Sequence, residues 1–306
     1  MKTTIYVPDI ECESCAKVLA KAFSNTEGVE HFTITQDSID IEFNEATTKE
    51  NIKQLIKDKG FRASFDPFER KTWKERTRHY KENKHLYELE TKAITYTVAI
   101  FFILILLEAM AYIMLLQNHE QFLQNYGWWI FYLNISVATI SIGMWHVLAY
   151  KAKVTCMTGM MIGMTIGMQS GMMVGAIVGA TNGFFIGSMV GMILGVVVGV
   201  ITGKCCGVMG VMEGMMAGLM GGTMGPMISV MMFSDHLLWF MPLYMIFNII
   251  IVWGLSYMLY EEVVEGKQGV IKKPLDFTSL AAIAIIFTFL LLLIMVYGPK
   301  SALIGF

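Results

Sequence analysis

Between Gly159 and Gly207 a glycine occupies every fourth position, thirteen times in succession. Four residues turn an α-helix by about 400°, so these glycines form one inclined stripe that drifts about 40° per step. In a water-exposed helix each glycine costs about 1 kcal/mol relative to alanine. Thirteen in phase therefore require a compensating contact, and the one that glycine permits is close approach of two helix backbones. Within lipid, small residues spaced by four support that approach, with helices crossing in the GxxxG manner. The stripe is read as structural, a glycine zipper at the core of an all-α membrane body.

The surrounding chain agrees with a bilayer. Its mean hydropathy is +0.55, and 55% of its 306 residues are hydrophobic. Charge is segregated, with most Lys, Arg, Asp and Glu in the first 92 residues. Apolar stretches at 93–116, 127–150, 237–260 and 277–298 are each long enough to span about 30 Å of hydrocarbon. The tract itself divides into three more, at about 157–180, 183–203 and 207–232, with breaks near Ala180–Asn182 and at Lys204–Cys206. About seven spans are expected in the domain 93–298, followed by a tail at 299–306. Lys151, Lys153, Lys204, Lys267, Lys272 and Lys273 fall in alternate connections, whereas 117–126, 180–182 and 233–236 carry no Lys or Arg. That asymmetry predicts a cytosolic N-terminus and an outside C-terminus in a bacterial-type plasma membrane, with Lys300 the one exception. Segment 68–92, with eight basic and five acidic residues, reads as a charged juxtamembrane helix facing the inner leaflet or docking a partner. A net charge of −2 gives no sign of nucleic-acid binding.

Residues 1–67 read as a soluble head. A strand at 3–10 precedes a helix at 14–29 capped by Ser14, and a hairpin covers 30–43. A second helix at 47–60 opens with a Thr47-to-Glu50 capping box, and a last strand is expected at 61–65. The order βαββαβ predicts an α+β ferredoxin-like sandwich. Cys12 and Cys15 lie between the first strand and first helix, where a helix N-terminus favours thiolates. With no apolar leader at the N-terminus the head is expected in the reducing cytosol, where such a pair reads as a metal or redox site.

Ile10-Glu11-Cys12-Glu13-Ser14-Cys15, followed later by Gly60-Phe61, resembles the heavy-metal-associated domains of copper chaperones and metal-pumping P-type ATPases. The resemblance implies a thiophilic metal ion at Cys12 and Cys15. It departs in having Ile10 at the usual Met position and Glu11 before the first cysteine. A carboxylate there is similar to zinc and cadmium domains, so Cu(I) and Zn(II) or Cd(II) both stay open.

Of 26 methionines, 18 lie between Met157 and Met232. Met160, Met164, Met168 and Met172 form one four-residue series, and Met212, Met216, Met220 and Met224 another. Thioethers suit Cu(I) without burying charge in lipid, although methionine also serves as adaptable filler against glycine. The pattern is loosely similar to the MxxxM/GxxxG helices of high-affinity copper transporters. Cys156, Cys205 and Cys206 fall in the connections assigned to the cytosolic side. The expected function is therefore a Cu(I) transporter or membrane copper carrier, passing the ion from the head to a Cys/Met-lined path. The alternative is a non-transporting scaffold presenting a metal-donating or metal-sensing head to a pump or oxidase. Expected partners are the metal ion, the lipid bilayer, a cytosolic copper chaperone or P-type ATPase, and a second copy through GxxxG helices. No nucleotide-binding, HExxH or Ser/His/Asp constellation points to an enzyme. Glu108, Asn134, His146, Gln169, Asn182, Glu213 and Asn248 are the remaining polar residues within the apolar stretches.

Overall fold

A computed structural model describes residues 2–10, 13–35, 37–44, 47–67, 88–113, 122–150, 156–260 and 275–301. The head contains β1 (Lys2–Tyr6), α1 (Glu13–Ser24), β2 (Val29–Ile34), β3 (Ser38–Phe43) and α2 (Lys49–Asp58). The antiparallel sheet has the order β1-β3-β2, with Ile39 opposite Ile5 on one side and Ile34 on the other. Ile5, Ile39 and Ile41 on the sheet meet Leu19 and Phe23 of α1 and Ile52 and Ile56 of α2 in one core. The period-two pattern of the strands supplies one half of that core and the 3.6-residue period of the helices supplies the other.

Three local expectations are corrected. Helix α1 begins at Glu13, so Ser14 lies inside its first turn. Thr48, not Thr47, caps α2 by accepting the Asn51 amide, while the Thr47 hydroxyl donates to Glu27 O at 2.6 Å. The strand expected at 61–65 is reduced to a single antiparallel bridge, Tyr6 to Ser64. The Arg62 amide donates to the Asp9 carboxylate instead of a ladder, and the Asp66 amide turns back to Ser64 Oγ. Pro67 then has no N–H to offer.

Among the described residues, apolar helices follow as α3 (Glu88–Ala111), α4 (Phe122–Ala149), α5 (Cys156–Asn182), α6 (Phe184–Gly203), α7 (Gly207–Met231), α8 (Leu237–Tyr260) and α9 (Phe277–Tyr297). Six stretches among the described residues are long and apolar enough to cross a membrane when Phe184–Met231 is taken as one. That stretch is broken by a 3₁₀ turn at Lys204–Cys206, where α7 folds back against α6. Chain direction alternates throughout. Glu90 meets Tyr150 at one end of the α3/α4 pair and Glu108 meets Asn134 nearer the other. The start of α9 is held at the first end by Trp145 Nε1 donating to Leu275 O at 2.9 Å. Its far end meets Asn182, whose Nδ2 donates to Ile294 O at 3.0 Å. The juxtamembrane segment 68–87 lies outside the described residues, and Glu88–Lys92 belongs to α3.

The centre of the bundle is backbone against backbone. Gly163 faces Gly203 and Gly210, Gly167 faces Gly199 and Gly214, and Gly171 faces Gly191 and Gly222. Helix α5 therefore runs parallel to α7 and antiparallel to α6. A β-carbon at Gly167 would lie 2.8 Å from Gly214 O, and one at Gly171 would lie 2.7 Å from Gly222 N. Both are closer than a side chain can sit. Two members of the run sit at turns: Gly183 between α5 and α6 has φ 102° and lies against Ser301, and Gly207 after the 3₁₀ turn has φ 68°. The stripe restarts three residues later at Gly210, and Pro226 takes the next place after Gly222, against Gly175, Gly179 and Gly187. A second stripe on α7, Gly221 and Gly225, meets the backbone of Met168 and Met172.

Candidate functional site

In the head, the segment joining β1 to α1 is fixed from both sides. The Val7 amide donates to Asp37 O at 2.9 Å. Asp9, 4% exposed, accepts from the Arg62 amide at 2.7 Å and from its guanidinium at 2.8 and 2.6 Å. Both guanidinium nitrogens donate to Oδ1 and the amide to Oδ2, a charge-assisted set that ties the segment before Cys12 to the chain after Gly60. Cys15 lies in the first turn of α1, packed into the head core beside Ile10. Phe61 enters the same core after the positive-φ turn at Gly60. Glu11 and Cys12 lie outside the described residues.

A second group of thiols sits at the end of the bundle where α3 begins. Cys156 is the first residue of α5, and nothing is described of its side chain. Cys205 and Cys206 occupy the turn between α6 and α7 and converge on Gly159, three residues into α5 from Cys156. A β-carbon there would collide with Cys206 Sγ and lie 3.1 Å from Cys205 Sγ. Cys205 Sγ is also 3.4 Å from Thr202 O and 4.0 Å from Gly159 O. The α5 and α7 N-termini both point to this end, and their dipoles favour an anionic sulfur.

The two methionine series differ in exposure, the second lying on an outer face and the first mostly half-buried, with Met172 packed against the bundle core. Met160, Met168 and Met172 are half-buried and Met164 is exposed. Met212, Met216, Met220 and Met224 are 58, 58, 52 and 43% exposed. Geometry explains the placement, because a residue next to an inward glycine is turned about 100° away from the contact. Between α5, α6 and α7 the space is taken by glycine backbone.

The polar residues are dispersed. Asn134 Nδ2 donates to Glu108 Oε2, and Asn248 Nδ2 donates to Tyr244 O at 2.6 Å. Asn182 links α5 to α9, Gln169 is buried at mid-helix, and Glu213 is half-buried on α7. His146 is buried beside Glu90 and Tyr150, neither of which the sequence reading selected. Glu90 was hidden among the charges before the first apolar stretch. Its buried neighbour Leu89 shows that the helix face is already engaged there.

Among the described residues, no group of three or more His, Cys, Asp or Glu side chains lies close enough to hold a metal ion. In comparisons with protein-family models, curated proteins and solved structures, nothing matches the chain.

Proposed function

We propose that the chain is a non-catalytic membrane protein that takes a thiophilic metal ion as cargo, passing it between a cytosolic head and thiols at the near end of a seven-span bundle. The observation that carries this reading is the convergence of the Cys205 and Cys206 sulfurs on Gly159, beside the helix that Cys156 opens. The sheet order β1-β3-β2, with Cys15 in the first turn of α1, supports the ferredoxin-like, heavy-metal-associated reading of the head. Thiolates at both stations suit Cu(I), with Zn(II) or Cd(II) the alternative cargo. In this reading the ion moves by exchange between soft ligands, and the mostly half-buried thioethers of α5 and the exposed thioethers of α7 serve as further stations.

The test is metal stoichiometry on the full chain. Protein with Cys12 and Cys15 changed to Ser retains Cu(I) at the bundle thiols, and further change of Cys156, Cys205 and Cys206 to Ser removes it. A double variant that binds no Cu(I) overturns the bundle site.

The glycine-filled interior favours a second reading, a scaffold that holds the head at the membrane without moving the ion across it. Uptake of Cu(I) into proteoliposomes separates the two. A transporter gives protein-dependent uptake that falls when Met160, Met164, Met168 and Met172 become Leu. A scaffold gives no uptake with either protein.

A further inference from the structure

A separate set of side chains, His146 and Tyr150 buried and Glu90 half-buried, joins α3 to α4 at the thiol end of the bundle. The Tyr150 hydroxyl donates to Glu90 Oε1 at 2.6 Å. Nε2 of His146 stands 3.8 Å from that same oxygen. His146 is 3% exposed, and its ring lies edge-on to Tyr150 with centroids 5.3 Å apart. Among the described residues, Glu90 Oε2 and both ring nitrogens of His146 are buried without a hydrogen-bond partner. Buried polar atoms are nearly always satisfied, and each unsatisfied one costs about 1–3 kcal/mol. Three in one cluster indicate something that these side chains do not supply themselves.

We propose that Glu90, His146 and Tyr150 form a partly buried proton-binding site that exchanges one proton with solvent. The separation of Nε2 from Oε1 is too long for a hydrogen bond yet close enough for a small side-chain movement to make one. A proton taken from water adds to the imidazole, which then carries N–H on both nitrogens and can donate to Glu90. The same proton neutralises the pair, removing an uncompensated carboxylate from a poorly solvated place. On release the proton returns to water, and the imidazole becomes neutral again. Tyr150 keeps its proton throughout and holds the carboxylate in position. Because Glu90 belongs to α3 while His146 and Tyr150 lie at the end of α4, proton uptake tightens the junction between these two elements.

The surroundings suit a site of this size. On α3, Glu88 and Lys92 pair with each other at 2.6 Å and lie near the surface, and Tyr96 packs edge-on to Trp145. Helix α8, parallel to α4, ends with Tyr257 and Tyr260, and Asp276 precedes α9. Helices α4, α5 and α8 carry no carboxylate, and α5 contributes only Cys156 as an ionisable side chain. Among the described residues, Glu90 is therefore the carboxylate that faces His146.

The inference is independent of metal binding. Its test is NMR of the full chain in lipid nanodiscs, with ¹⁵N-labelled histidine rings and ¹³C-labelled glutamate carboxyls, titrated from about pH 5 to 8, where histidine changes charge. His146 and Glu90 signals, assigned by their loss in H146Q and E90Q, should report a common step, as coupled groups do. E90Q should displace the His146 midpoint by about tenfold or more in proton concentration. Y150F should displace it less. E90D, which keeps the charge but withdraws it, should give an intermediate curve and serves if E90Q fails to assemble. A His146 signal that ignores pH over this range overturns the proposal. So does an unchanged titration in E90Q or E90D.

Discussion

Gly167 and Gly254 have the same side chain in the same kind of helix, yet a methyl group means opposite things at the two positions. At Gly167 a β-carbon would press on Gly214 O and Gly199 Cα, whereas at Gly254 it meets nothing within 4 Å. Gly167→Ala should therefore lower stability by about 1–3 kcal/mol through overpacking. Gly254→Ala should be neutral or stabilising by up to about 1 kcal/mol, because alanine is the better helix former. Unfolding of the two variants in detergent measures the difference. Equal stability would mean that backbone proximity contributes little. This contrast shows where the sequence was informative. A four-residue repeat announces that glycines share a face, and the phase alone carries that message. It does not announce that Gly183 and Gly207 leave the stripe to turn, nor that Pro226 continues it. Proline fits there because its ring meets facing glycines that offer only backbone.

The elements repeat this lesson in the head. Alternating strands and an amphipathic α2 are visible in the sequence because burial imposes its periodicity on several residues at once. Whether 61–65 completes a strand turns on single hydrogen bonds, and Asp9 takes the Arg62 amide that a ladder would need. Arg62→Ala would leave Asp9 buried without its cation, at a cost of about 3 kcal/mol. Hydrogen exchange on the full chain should show the head opening more readily in Arg62→Ala, with Asp9→Asn, which removes the charge, less affected. If exchange in β1 and in the segment after Gly60 is unchanged, the Arg62–Asp9 pair does not anchor the segment before Cys12. The Glu90 site went unread for a related reason. The glutamate acquires its partners from a residue sixty positions away, Tyr150, and no local pattern marks such a pair.

Across the whole molecule, alternating helix direction gathers Glu90, His146, Cys205 and Cys206 at one end and leaves Asn182 and Lys300 at the other. Lys300, the exception to the lysine asymmetry, stands 4.5 Å from the centroid of the Tyr126 ring, and partial burial holds its pKa below the ordinary lysine value. A cation–π contact gives that ammonium a place on the side whose connections otherwise carry no Lys or Arg. In oriented membrane vesicles, a membrane-impermeant thiol reagent should label Cys205 from the side on which an N-terminal tag is accessible. Labelling from the opposite side would reverse the proposed topology. A bundle held together by a repeat has one more consequence. An identical step recurs every 6 Å or so along α5, α6 and α7, and a sliding helix meets an equivalent set of notches after each step. The glycines make the helices commensurate without saying where they must stop. That information resides in the few contacts that do not recur: Pro226 lodged against Gly179, the Ser229 hydroxyl on Ala176 O at 2.6 Å, and the Ser301 amide on Asn182 O at 3.0 Å. These act as detents on an otherwise uniform rack.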